Sequence, residues 1–475
     1  MAENGAILHR RDPIKSSVGN VAAHRRRQHA VTVGKERRES LVRAKRLCRV
    51  GTSGEGDGEG EAPLESGMII EEEQSILEAQ TSSAVEELKA AVSNQGKGAL
   101  QKRVATLREL RRILSRSEFP PIETALRAGA ISVLVQCLSF GSPDEQLLEA
   151  AWCLTNIAAG KPEETKALLP ALPLLILHLG EKSSLSVAEQ CAWALGNVAG
   201  EGEELRNVLL SQGVLQPLAR MMLPNKGSTV RTAAWALSNL IKGPDPRAAT
   251  ELIKVDGVLD AIIRHLKKAD DDLATEVAWV AVYLSALSNV ATGLLVKSDV
   301  LQLLSERLAT SSSLQLLIPE AAWVLSNIAA GSIEHKQLIY SSEAVPLLLR
   351  LLSTAPFDIR KEVAYVLGNL CVAPTGSDGK PNLILEHLVS LVGRGCLSGF
   401  IDLVRSADIE AARLGLQFME LVLRGMPNGE GPKLVEHEDG IDAMERFQFH
   451  ENEDLRNMAN GLVDKYFGEE YGLDE

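Results

Sequence analysis

The chain has 475 residues, 45% of them hydrophobic but only 4% aromatic, with a formal charge of −13 and six cysteines. That composition suits a folded helical protein rather than an aromatic-rich β fold, and the length allows two or three ordinary domains or one long repeat array. Cys48, Cys137, Cys153, Cys191, Cys371 and Cys396 have no paired spacing, and the longest apolar run, 168–179, carries two prolines. A disulfide framework and a membrane span are therefore excluded, and with no secretory signal the chain is expected to be soluble and intracellular.

Charge is unevenly placed. Residues 1–50 hold 13 Lys/Arg against 4 Asp/Glu, which leaves −22 on residues 51–475. The arm opens at Arg10-Arg11 and continues through Arg25, Arg26, Arg27, Lys35, Arg37, Arg38, Arg43, Lys45, Arg46 and Arg49. Its basic residues recur at threes and fours, so it can form a helix on a partner, but alone it has too few apolar groups to fold. Taken alone, such an arm also reads as a localisation tail or a nonspecific RNA-binding segment. An acidic body repels phosphates, so nucleic acid is not expected as its ligand. Residues 51–66 are Gly-rich and acidic and lack the strand and charge of a phosphate loop; the flexible linker is placed at 51–81.

From 82 to 475 the chain repeats itself. Glu149-Ala-Ala-Trp152-Cys-Leu-Thr-Asn156 returns as Ala192-Trp193-Ala-Leu-Gly-Asn197, Ala234-Trp235-Ala-Leu-Ser-Asn239 and Ala322-Trp323-Val-Leu-Ser-Asn327. Val277-Ala-Trp279-Val-Ala-Val-Tyr283 and Val363-Ala-Tyr365-Val-Leu-Gly-Asn369 are edited copies. All five tryptophans fall at one position, 41, 42, 44 and 44 residues apart, the period of a helical solenoid. The rhythm of three helices per unit predicts an all-α, right-handed armadillo-repeat superhelical solenoid. Nine third helices are expected, carrying Arg111, the five tryptophans, Tyr365, Arg413 and Ala459. Gly160, Gly200, Gly243 and Gly331 follow third helices and suit left-handed caps, whereas Gly129, Gly213 and Gly257 fall at tight bends between the shorter helices. At 319/320 one opening of a third helix, Ser313 to Ile318, runs straight into another, as if a unit of about 40 residues were missing.

Trp and Asn four apart lie one turn above each other, so stacked units line up indoles beside carboxamides. An Asn amide can pair with the backbone of an extended peptide, and parallel indole faces attract the stems and cations of Lys and Arg. Glu201 and Glu362 are placed to receive those cations. An extended basic peptide is the expected ligand, against the alternative that the indoles are core residues. No catalytic or metal-binding motif is present, so no enzyme, cofactor or metal site is expected.

With basic arm, acidic linker and W-x-x-x-N units together, the chain resembles the importin-α family. The resemblance implies a nuclear import adaptor, shuttling between cytoplasm and nucleus, that binds basic nuclear localisation signals. It implies a major site at Trp152, Asn156, Thr165, Trp193, Asn197, Glu201, Trp235 and Asn239, and a minor site at Trp323, Asn327, Glu362, Tyr365 and Asn369. Glu201 stands where the family usually has Asp, and Tyr365 where it has Trp. The arm, with Arg25, Arg26, Arg27 and Lys35 to Arg49, is similar to the importin-β-binding domain, and Lys45-Arg46 is a diluted form of its autoinhibitory signal mimic. The last repeat, about 436–468, resembles the one that engages the export receptor. Nine repeats against the family's ten imply a weakened minor site. The alternative is an armadillo scaffold for adhesion or signalling partners.

Overall fold

The computed structural model describes residues 66–468, apart from 97, 117–119, 181, 226, 268–269, 310–317 and 374–382. Apart from one antiparallel bridge between Val372 and Leu383, the described residues form helices and their connections. The third helices are Ala99–Arg116 (α1), Asp144–Ile157 (α2), Leu185–Glu201 (α3), Ser228–Ile241 (α4) and Asp271–Leu287 (α5). They continue as Ile318–Ala329 (α6), Phe357–Leu370 (α7), Ile409–Gly425 (α8) and Glu453–Phe467 (α9). All nine carry the residues the period assigned to them.

Local chemistry explains where they start. Pro143 precedes α2, and Asp144 and Glu145 place carboxylates at its N-terminal turn, where the helix dipole favours them. Asp270, Asp408 and Asn452 cap α5, α8 and α9 by accepting the backbone N–H of Leu273, Ala411 and Leu455. Before each of the third helices α2–α9 come two shorter helices, such as Ile122–Arg127 and Ala130–Cys137 before α2. Their joint needs a reversal within a few residues. Gly129, Gly213 and Gly257 supply it at φ +79°, +78° and +82°, as expected, and Gly395 does the same before Cys396–Val404.

A third helix is buried nearly all round, because its own repeat and both neighbours pack on it. In α2, Leu147, Ala150, Ala151, Cys153, Leu154 and Ile157 are inside. Small alanines let adjacent helices approach while leucines fill the layer, and each fully buried Leu contributes about 1.5–3 kcal/mol. Exposed ion pairs, at about 0–1 kcal/mol each, are secondary. The contacts divide the described residues into two units, one ending at Ala261 and the other beginning at Ile262.

Three expectations change. Helix Ser66–Ser93 occupies much of the stretch assigned to the linker, and Val85 and Leu88 are already core residues. Gly160, Gly200, Gly243 and Gly331 are not left-handed caps. Gly200 lies within α3, and at Gly160 the reason for glycine is space, since a Cβ would sit 2.9 Å from Ile122 Cδ1. At the irregular joint, α6 starts at Ile318 with Pro319 in its first turn, where a missing N–H costs nothing. Ser313 to Leu317 lies outside the described residues.

Candidate peptide-binding site

In the unit ending at Ala261, α1 to α4 stack in order and the ladder asparagines stitch them. Asn156 Nδ2 donates to the Arg111 carbonyl at 3.4 Å, Asn197 Nδ2 to Thr155 at 3.2 Å, and Asn239 Nδ2 to Gly196 at 3.3 Å. Each bond runs to the third helix one repeat earlier. The carboxamides are buried, Asn197 completely. One N–H of each amide therefore holds the stack together, a second role beside the expected contact with a ligand. The Asn197 Oδ1 remains a buried acceptor with no hydrogen-bond partner.

The indoles are different. Trp152 and Trp193 stay partly exposed, with the ladder asparagine four residues on buried in each helix, whereas Trp235, expected to stand open, is buried at 8%. The rings of Trp193 and Trp235 are 5.8 Å apart and tilted by 49°, so the expected parallel faces are not formed. Trp235 leans onto α3, where Gly196 makes the room: a Cβ there would lie 2.2 Å from its Cζ3. Glu201, at the end of α3, is partly exposed. Thr165 is buried, and its hydroxyl donates to the Ala158 carbonyl at 3.1 Å.

That bond recurs. A side chain nine residues after the ladder asparagine, or after Tyr283 in α5, reaches back seven residues to a carbonyl at the end of the third helix. Arg206 donates to Ala199 at 3.2 Å, Thr292 to Ser285 at 3.2 Å, and Lys336 to Ala329. Sequence reasoning named only Thr165 of this series. The common spacing from Asn156, Asn197 and Asn327 was the signal that would have found Arg206 and Lys336.

Two of the chain's own cations reach the same ladder. The Arg111 guanidinium lies 4.5 Å from the centroid of the Trp152 ring, and its Nε donates to Glu149 Oε2 at 2.5 Å. Lys242 Nζ donates to Asn239 Oδ1 at 3.1 Å.

In the unit from Ile262, α5, α6 and α7 repeat the pattern. Trp279 packs edge-on against Trp323 at 5.6 Å, so the repeat of α6 follows that of α5 directly. Asn327 Nδ2 donates to Val282 O and Ser285 Oγ at 3.3 and 3.1 Å, and Asn369 Nδ2 to Ser326 O at 3.3 Å. Trp323 and Glu362 are partly exposed, whereas Tyr365 is buried and its hydroxyl donates to Glu410 at 2.6 Å. Where Arg or Tyr replaces Trp in α1 and α7, the polar end thus pairs with a carboxylate three residues before the next ladder position, Glu149 or Glu410. Lys336 is fully buried and also donates to the Asn369 carbonyl at 2.8 Å.

The arm residues Arg25, Arg26, Arg27, Lys35, Arg37, Arg38, Arg43, Lys45, Arg46 and Arg49 lie outside the described residues. In the last repeat, Phe449 is 88% exposed beside the packed pair Phe447 and His450. Cys137, Cys153, Cys191, Cys371 and Cys396 are free and buried, and burial raises the Cys137 thiol to about 11, so it stays protonated. Among the described residues no single helix is long and apolar enough to cross a membrane.

Comparison with known proteins agrees with this geometry. The armadillo/beta-catenin-like repeat matches residues 119–159, 202–242 and 332–372, and a HEAT-like repeat matches 144–198. An engineered protein of known crystal structure has the same fold, with TM-score 0.69 and 24% identity over 79% of this chain and 87% of its own. The chain is 70% identical to importin subunit alpha-9 of Arabidopsis thaliana over the full length of both. It is 60% identical to importin subunit alpha-2 of Oryza sativa subsp. japonica, over 99% of this chain and 97% of that one. Near-complete coverage at such identity leaves no alternative armadillo family: the chain belongs to the importin-α family of nuclear import adaptors.

Proposed function

We propose that the ladder of Trp152, Trp193 and Trp235 receives an extended basic segment of a cargo protein, and that the basic arm couples the complex to importin-β. The observation that carries this is the partial exposure of Trp152 and Trp193, each flanked on both sides in its helix by buried residues. Trp235 and Trp279 are buried at 8% and 7%, so within this ladder the indoles that present surface to a ligand are Trp152 and Trp193, with Trp235 backing Trp193. Arg111 supplies a second support from within the chain: a guanidinium on an indole, with a carboxylate at its edge, is the contact proposed for the ligand. The body's charge of −22 draws basic segments in from solution and would repel the acidic tail that an adhesion or signalling scaffold binds.

The ladder amides take a smaller part than a free row of carboxamides would. One bond from each amide nitrogen is used between repeats, which leaves its second N–H for the backbone of an arriving peptide. Glu201 and Thr165 are the residues assigned to the ligand's principal cation. Trp323, Asn327, Glu362, Tyr365 and Asn369 form a second, poorer site. Tyr365 is held by Glu410, and the buried Lys336 donates to the Asn369 carbonyl.

The test is a titration of the full chain with a peptide of five consecutive Lys/Arg residues between neutral flanks. Alanine at Trp152 or Trp193 should weaken binding by about 10-fold or more, the loss of one or two cation–π contacts with their packing. Unchanged affinity in both variants would refute the site. Residues 1–50 fused to a carrier should capture importin-β, and failure to do so would refute the coupling.

A further inference from the structure

Deepening the reading above and resting on it, we propose that Arg111 is an end stop that fixes where the ligand's basic run must finish on the α1 side of Trp152. Every other feature that would attract a cation at this end is already taken by the chain. One face of the Trp152 indole lies under the Arg111 guanidinium at 4.5 Å. The carboxylate at that edge, Glu149, is shared between Arg111 Nε at 2.5 Å and Arg108 Nε at 3.1 Å. Arg108 reaches further to Glu145 at 2.8 Å. Asn156 is tied to the same residue, through the Arg111 carbonyl.

The position is what gives this meaning. Arg111 stands 41 residues before Trp152, at the position where the next five third helices carry Trp. A tryptophan there would continue the ladder by one more indole and leave Glu149 to receive a ligand cation. The arginine instead fills the place with a charge of the ligand's own sign. A further lysine of the ligand finds neither an open ring face nor an unpaired acid, and it meets two guanidinium groups. A neutral residue meets no such opposition. Arg111 is therefore a specificity-determining residue: it sets the length of the basic run that is rewarded.

The experiment uses the full chain and five peptides. One carries the basic core alone; the others extend it by two lysines or two serines at its N-terminal or its C-terminal end. With the unaltered chain, lysines at one of the two ends should bind no better than serines. In R111A and R111M, which free the ring face and the Oε2 of Glu149 while Arg108 keeps Oε1, the lysine extension at that same end should gain about tenfold over the serine extension. R111K, which keeps the cation, should show no such gain. A purely structural role would move both extended peptides together and leave their ratio alone. An unchanged ratio at both ends, in both uncharged variants, overturns the end stop while leaving the ladder intact. A lysine preference at both ends of the unaltered chain overturns it too. Failure of the core peptide to bind would instead remove the function on which the proposal rests.

Discussion

A lysine without exposed surface, such as Lys336, has to find hydrogen-bond acceptors inside the protein. Its ammonium donates to the carbonyls of Ala329 and Asn369, near the ends of α6 and α7. These belong to the final turns, whose carbonyls lack partners within their own helices and carry the negative end of the dipole. K336A strands both carbonyls and empties the channel of the stem, a loss of about 2–4 kcal/mol. K336T keeps a hydroxyl for the Ala329 carbonyl, as Thr165 does for Ala158, and should lose about half as much. The readout is the denaturation midpoint together with amide exchange in α6 and α7; equal loss in the two variants would deny that the shared bond matters. The nine-residue spacing was legible in the sequence, but burial was not. A lysine in a helix ordinarily reads as surface, and only the packed neighbour shows otherwise.

Tyr365 poses the complementary case at the same scale. Its hydroxyl, Lys361, Asp408 and Glu410 form one cluster, with Lys361 Nζ at 3.1 Å from Asp408 and 3.0 Å from Glu410. Burial alone would raise Asp408, but the Ala411 N–H and Lys361 outweigh it and hold the carboxyl below its ordinary value. Burial likewise would lower Lys361, and Glu410 and Asp408 reverse that, leaving it raised. A depressed Asp408 contributes stability above about pH 4, lost as pH falls through its folded value. A raised Lys361 contributes below about pH 10, lost as pH rises through its folded value. The cluster is therefore fully effective between those limits. D408A, which also removes the cap of α8, should lower stability by about 0.5–2 kcal/mol at pH 7. The gap to the unaltered chain should begin to narrow as pH falls below about 4 and go on narrowing through the lower folded value of Asp408. A gap that does not narrow at all on acidification would mean the charge pair contributes nothing.

At the scale of helices, two devices hold the repeats in register, and the sequence displayed one. The W-x-x-x-N period made the nine third helices countable, because identical units must stack with identical faces. It did not show that the asparagines bond backward to the preceding helix, since spacing cannot tell an amide facing solvent from one facing a neighbour. The glycines following third helices misled for a related reason. Their recurrence suggested a backbone requirement, whereas Gly160 is small because Ile122 lies against it; Gly196, inside α3, is small in the same way because Trp235 does. Gly196 allows a direct check. In G196A the new methyl must displace the Trp235 ring from α3, and overpacking of this kind costs about 1–3 kcal/mol. The near-UV circular dichroism of the Trp193–Trp235 pair should change, and basic-peptide affinity should fall with it. Retention of the spectrum and affinity would mean that the ring has a second seat of equal quality.

Over the whole molecule, the number of repeats and the arm decide how much basic sequence is bound. The alignment with the Arabidopsis relative runs over 522 positions against 475 residues here, longer by about one armadillo unit. With Trp279 in direct contact with Trp323, we place the missing repeat between α5 and α6 as a proposal. On that reading the second site has one unit fewer, and Lys336 donates to the Asn369 carbonyl beside it. A peptide with two basic clusters should bind this chain within about threefold of its stronger cluster alone; a gain of 100-fold would show an intact second site. Self-inhibition follows similar arithmetic. A tethered mimic competes in proportion to its effective concentration, of millimolar order for a short flexible link, divided by its own dissociation constant. Lys45-Arg46 offers only two adjacent cations, so that constant is also expected near the millimolar range. Removing residues 1–50 should therefore raise affinity for a basic peptide by only about two- to tenfold at 0.15 M salt, and by more at lower salt, where the arm's +9 is less screened. No gain at either salt would mean that the arm does not enter the ladder, and a gain of 100-fold would mean that Lys45-Arg46 binds as well as a full signal.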